Sequence, residues 1–180
     1  MNLFIDTETT GLFRQGLPLD AAIQPWPVEL AALLTRPDGE TVSAFHAVIK
    51  PDGWLVPEET RVINGISHDY AMAYGLPLAD AMVVMEVFAG PADLVVAYNM
   101  TFDGGIIEAA CFRRNLKSPL EGKALACASR MALEHFGGYR RKQTEVYEKL
   151  FGKPLEDAHS AWADCRACRD IYMELAPKPA

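Results

Sequence analysis

Apolar runs too short for buried helices open the chain. Leu3-Phe4-Ile5 ends in Asp6 and reads as a strand, and residues 28–35 and 41–49 read as two more. The last two are joined through Arg36-Pro37-Asp38-Gly39, and Asp-Gly between strand-like runs is a strong hairpin signal. The pattern predicts an antiparallel meander of three strands. Between the first and second, Gly11, Gly16, Pro18, Pro25 and Pro27 predict a long loop.

After Pro51-Asp52-Gly53 the period lengthens to that of helices, in short pieces over 57–63, 67–74 and 77–88. Pro57 followed by Glu58 and Glu59 makes a favourable first turn, since Pro suits N1 and acids suit the positive end of the dipole. Leu94-Val95-Val96-Ala97 reads as a buried strand, and Thr101 opens a helix whose apolar positions are Ile106, Ile107, Ala110 and Cys111. A short strand over 123–127 and a helix to about Phe136 follow. Gly137-Gly138 breaks the chain before helices over 142–150 and 160–175. Three meander strands extended by two strands with helical crossovers predict an α/β protein: a five-stranded mixed sheet flanked by helices. Its 180 residues fit one domain, expected over 1–176 with a tail at 177–180.

Half of the residues are hydrophobic and 23% are charged, an ordinary globular balance. No apolar run reaches the ~18 residues of a membrane span, and no signal region precedes the first strand, so the expected location is cytoplasmic without membrane contact. The net charge of −7 opposes phosphate binding at first sight. Yet residues 113–142 hold eight basic side chains against Glu121 and Glu134, which suits a partner held locally, such as a chain end. Cys165 and Cys168 have zinc-like spacing, but Cys111 and Cys127 do not complete a site, so reduced, partly buried thiols are expected.

The chemistry lies in three acidic segments. In Asp6-Thr7-Glu8-Thr9-Thr10-Gly11-Leu12, alternation along a strand turns Asp6 and Glu8 to one face. Two crowded carboxylates repel and raise each other's pKa, and a hard divalent cation such as Mg²⁺ or Mn²⁺ relieves that repulsion. Asp-x-Glu alone is a weak signal. Asp103 follows the strand at 94–97 and falls in a first helical turn, at the strand ends where ligands collect in α/β sheets. There it is also good capping chemistry. In Asp157-Ala158-His159-Ser160-Ala161-Trp162-Ala163-Asp164, a regular helix would set His159 and Asp164 ~140° apart. With His159 just ahead of the helix, both reach the same cleft.

Taken together, these segments resemble the DnaQ-like DEDD exonucleases of the ribonuclease H-like superfamily, in the subgroup whose last motif carries a histidine. Asp6 to Leu12 resembles the first motif, Asn99 to Asp103 the second, and His159 with Asp164 the third. Ile49-Lys50-Pro51, Ile63-Asn64-Gly65-Ile66-Ser67 and Leu150-Phe151-Gly152 are similar to landmarks between them. The likeness runs from Leu3 to about Tyr172. Tyr98 departs from it, standing where many relatives have His, but it replaces no ligand.

The resemblance implies a two-metal 3′–5′ exonuclease that releases nucleoside 5′-monophosphates. Asp6, Glu8, Asp103 and Asp164 would hold two divalent cations, Mg²⁺ or Mn²⁺, with Asp6 shared between them. His159 would be the general base, imidazole being the side chain that titrates nearest neutral pH. Thr9, Thr10, Leu12, Ile66, Asn99 and Phe102 would touch the substrate strand, and Arg140, Arg141 and Lys142 phosphates farther along. Leu12, Ile66 and Phe102 fit ordinary core packing as well. The expected partner is a DNA 3′ end, single-stranded or frayed. Two other readings stay open: an exoribonuclease, since no residue can be assigned to sensing a 2′-hydroxyl, and a proofreading subunit bound to a polymerase. The short stretch after Asp164 favours a free-standing nuclease.

Overall fold

The computed structural model describes residues 1–177 and contains a six-stranded mixed sheet with helices on both faces. Strand β1 (Asn2–Thr9) pairs antiparallel with β2 (Pro27–Thr35), which pairs antiparallel with β3 (Thr41–Lys50). The turn between β2 and β3 closes through Gly39 N–H to Arg36 O at 3.0 Å, with Gly39 at φ 89, as the Asp-Gly signal predicts. Helices α1 (Glu58–Asn64) and α2 (His68–Tyr74) lead to a two-residue strand, β4 (Leu76–Pro77), beside the end of β3. This sixth strand was not anticipated, because Leu-Pro carries no alternation to read.

Helix α3 (Leu78–Ala89), strand β5 (Leu94–Ala97), helix α4 (Met100–Arg113), strand β6 (Ala124–Cys127) and helix α5 (Ala128–Phe136) follow. Helices α6 (Gln143–Phe151) and α7 (Ala161–Leu175) complete the described chain. Strand order is β4-β3-β2-β1-β5-β6, with β5 parallel to both β1 and β6. The tail expected at 177–180 lies, past Pro177, outside the described residues. Among the described residues no helix is long and apolar enough to cross a membrane.

Alternation in β1 and β2 divides the interior in two. Leu3 and Ile5, with Leu30, Ala32 and Leu34, pack against α3 and α4 through Met82, Met85 and Ile107. Phe4, with Ala31 and Leu33, packs on the other face against α5 and α7 through Ala132, Cys165, Cys168 and Ile171. Central strands covered on both faces need this near-continuous apolar run. Continuing the period past Ile5 sends Asp6 and Glu8 to the α7 face and Thr7 to the α4 face. All four cysteines are free thiols, and burial pushes those of Cys165 and Cys168 well up, keeping them inert.

Candidate active site

The acidic cleft forms where β1 outruns β5. The two strands pair only from Asn2↔Leu94 to Phe4↔Val96, so from Asp6 onward β1 has no strand on that side. Asp103, in the first turn of α4, fills the gap. Its Oδ1 accepts the Thr7 N–H at 3.1 Å and the Thr7 hydroxyl at 2.9 Å. Asp103 is therefore a first-turn acid that also terminates a strand edge.

On the opposite face, α7 brings the third segment. His159 and Asp157 have φ 71 and 54, left-handed values for residues that carry a Cβ. This backbone reversal places His159 outside α7, and its N–H donates to Asp164 Oδ2 at 3.0 Å. Ligand atoms of Glu8, His159 and Asp164 lie within 4.8 Å of one another. Asp6 and Asp103 are buried and outside that trio, but near enough for the charges of Asp103, Asp164 and Glu8 to act on Asp6.

So many carboxyls in one cleft cannot all ionise cheaply. Burial, then the charges of Asp103, Asp164 and Glu8, pushes Asp6 well above the usual carboxylate range. Burial and Asp164 push Glu8 up to about 8. Burial raises Asp103 to about 7 against the lowering bonds from Thr7, and burial also raises Asp164. Crowded carboxylates raised by desolvation and mutual repulsion are the donor set a hard divalent cation satisfies, so these residues fit such an ion.

The expected substrate contacts separate into groups. Thr9, Leu12 and Phe102 line a cavity of about 290 Å³ next to Glu8. Leu12 is 71% exposed there, so it is not core. Ile66 is not part of this cavity: it is buried with Val28, Val56 and Ala71. The apolar residue that α1 contributes is Ile63, because Ile66 follows the reversal at Gly65 and turns inward. The Thr10 N–H is bonded to Trp26 O at 2.9 Å, and its hydroxyl accepts from Trp26 N–H, so Thr10 fastens the long loop. Asn99 lines a second cavity of about 130 Å³ with Phe13, Gln15, Thr101, Phe102 and Arg140. Phe102 stands between the two.

The basic segment is less concentrated than its sequence suggested. Arg113 donates to the carbonyls of Gln24 and Pro25 and lies 3.5 Å over the Trp26 ring. Arg114 pairs with Asp52, Lys117 with Glu86, and Arg141 with Glu145. Arg140 faces the cleft side, held by Ser129 Oγ at 2.8 Å and Asn99 Oδ1 at 3.1 Å. Tyr98 is buried, and its hydroxyl donates to Arg141 O at 2.7 Å, a structural role. Sequence reasoning missed Glu29, a buried acid in register with Glu8 across β1 and β2. A charged residue inside the apolar run Val28 to Leu34 was the available signal.

The fold is a mixed α/β sheet with an acidic cleft where β1 runs past β5. The chain belongs to the RNase T family of exonucleases, whose family model matches residues 3–172. Membership implies dependence on a divalent metal. A PolC-type DNA polymerase III from Listeria welshimeri is 26% identical over 170 residues, covering 94% of this chain and 11% of that protein. E. coli exonuclease I in complex with a dA16 oligonucleotide superposes with a TM-score of 0.76 at 19% identity, covering 97% of this chain and 40% of that one. The nuclease domain of 3′hExo, a DEDDh family member bound to rAMP, gives 0.75 at 16% identity, covering 97% and 90%. At these identities the two structures bear on the fold. The chain spans 11% and 26% of the lengths of two curated relatives that it matches.

Proposed function

We propose that the protein is a metal-dependent 3′–5′ exonuclease acting on DNA ends, with residues 1–176 as its exonuclease domain. The observation that carries this reading is the Glu8, His159 and Asp164 cluster beside a cavity walled by Leu12 and Phe102. A cavity of about 290 Å³ suits one terminal nucleotide unit, with the exposed Leu12 against its base.

Asp6, Glu8, Asp103 and Asp164 would hold two divalent cations, Mg²⁺ or Mn²⁺. When bound, the cations supply positive charge that neutralises the carboxylates and stabilises the attacking and leaving oxygens of an in-line displacement. His159 takes a proton from the attacking water, whose oxygen bonds to the terminal phosphorus as the bond to the 3′ oxygen breaks. That oxygen ends protonated as a free 3′-hydroxyl, and a nucleoside 5′-monophosphate is released. The bond from the His159 N–H to Asp164 supports this role, since it holds the histidine at the cluster. The four free cysteines support a reducing compartment such as the cytoplasm.

Chromatography of the products from matched DNA and RNA oligonucleotides tests the reading. Nucleoside 5′-monophosphates from DNA, formed with metal and not with EDTA, are expected. Release from RNA alone would replace DNA with RNA as the substrate, a reading favoured by the rAMP-bound relative. The polymerase relative favours a proofreading role, which co-elution with a replicative polymerase on gel filtration would support.

A further inference from the structure

Beside the cleft lies a buried carboxylate that the mechanism does not use. Glu29 is on β2, opposite Glu8 in the strand register, and alternation points it to the α7 face with Ala31 and Leu33. Both of its oxygens are taken. Oε1 is 2.6 Å from His46 Nε2, and Oε2 accepts the Ala161 N–H at 2.7 Å. Ala161 is the first residue of α7, whose N-cap residue, Ser160, makes no side-chain cap. The capping bond therefore comes from a strand 132 positions away in the chain. A carboxylate at a helix N-terminus gains from the dipole as well as the bond. The His46 ring also stacks on Trp162, with ring centroids 6.0 Å apart. Glu29 and His46 thus grip two consecutive residues at the start of α7.

We infer that Glu29 is a positioning residue for the reaction: it fixes the first turn of α7 and so sets His159 and Asp164 opposite Glu8. The inference rests on the proposed exonuclease reading of the cluster. Its own geometry separates it from the ligands. Glu29 is not in the group formed by Glu8, His159 and Asp164, and becoming a ligand would cost it the bonds to Ala161 and His46. It acts through α7. The local backbone needs such a clamp, because His159 sits at φ 71 between the capped turn and an exposed loop.

The test compares wild type, Glu29→Ala and Glu29→Gln by three readouts. These are hydrogen exchange of segment 157–165 without metal, Mn²⁺ binding by calorimetry, and kcat and KM on a single-stranded oligonucleotide. With Glu29→Ala, the segment exchanges faster, Mn²⁺ binds more weakly and kcat falls roughly 10- to 100-fold, while KM stays within about twofold. Glu29→Gln restores kcat to within about fivefold, because its amide oxygen still accepts from Ala161. Unchanged exchange and kcat in Glu29→Ala overturn the inference. An equal loss in both variants also overturns it, since the charge and not the cap would then matter. Wild type that cuts nothing, with exchange still faster in Glu29→Ala, leaves Glu29 a helix cap only and sinks the exonuclease reading. Should Glu29→Ala not fold, His46→Phe keeps the ring against Trp162 and removes one bond to Glu29. It is expected to lower kcat in the same sense but less, and no change in kcat or exchange overturns the inference.

Discussion

The backbone N–H of His159 donates to the Oδ2 of Asp164 at 3.0 Å, fastening the residue ahead of α7 to an acid in its first turn. Five positions apart on one helix, the two side chains would diverge. The left-handed backbone at His159 brings them together instead. One carboxylate thereby has two tasks, closing the loop and facing Glu8.

Asp164→Asn separates those tasks. The amide oxygen can still accept from His159, while the negative charge is gone. Activity is expected to fall at least about 100-fold. The metal-free protein should melt at a higher temperature, since one like charge has left the cluster. A differential scanning trace beside a turnover assay checks both; a lower melting temperature would contradict the repulsion described for this cleft.

Metal-free stability should decline as pH rises. Glu8 is pushed up to about 8 and Asp103 to about 7, with Asp6 and Asp164 also raised, whereas unfolded carboxyls titrate near ~4. Between those values the folded protein holds protons that the unfolded chain has released. Stability present at low pH is therefore lost as pH rises through 7 to 8. Melting temperatures between pH 5 and 9 in EDTA should fall by several degrees from this cause. Added Mg²⁺ or Mn²⁺ should recover most of the loss at pH 9 and little at pH 5, because metal and proton compete for the same oxygens.

Much of this architecture was legible beforehand, for identifiable reasons. The Asp-Gly turn at 38–39, the buried run at 94–97 and the Pro57-Glu58-Glu59 start of α1 are local signals, and these elements formed within a residue or two of where the pattern set them, with Pro57 at the N-cap and not at N1. Strand alternation likewise put Asp6 and Glu8 on one face. Signals that depend on distant partners were not legible. Glu29 gives no hint in sequence of a bond to Ala161, and nothing near Arg113 says that it latches the long loop through Gln24 and Pro25. Ile63 and Ile66 differ in fate because the left-handed Gly65 lies between them, and an apolar count cannot choose which one turns outward.

That long loop offers its own test. A methyl group added at Gly105 in α4 would meet the Phe13 ring at 2.5 Å, so Phe13 must move. Ala also favours the helix over Gly by about 1 kcal/mol. Gly105→Ala is thus expected to keep or raise the melting temperature and to raise KM for an oligonucleotide, because Phe13 lines the second cavity. Steady-state kinetics on strands of two to ten nucleotides would check this. An unchanged KM would remove Phe13 from the substrate path.

The most direct test of the central claim uses a single-stranded DNA oligonucleotide labelled at its 5′ end, incubated with Mg²⁺ or Mn²⁺ and followed on a denaturing gel. EDTA and Asp6→Ala serve as controls. A ladder that shortens stepwise from the 3′ end, absent from both controls, is the predicted result. Immediate release of the label as a mononucleotide, internal cuts, or intact DNA and RNA with folded, metal-loaded protein would contradict it.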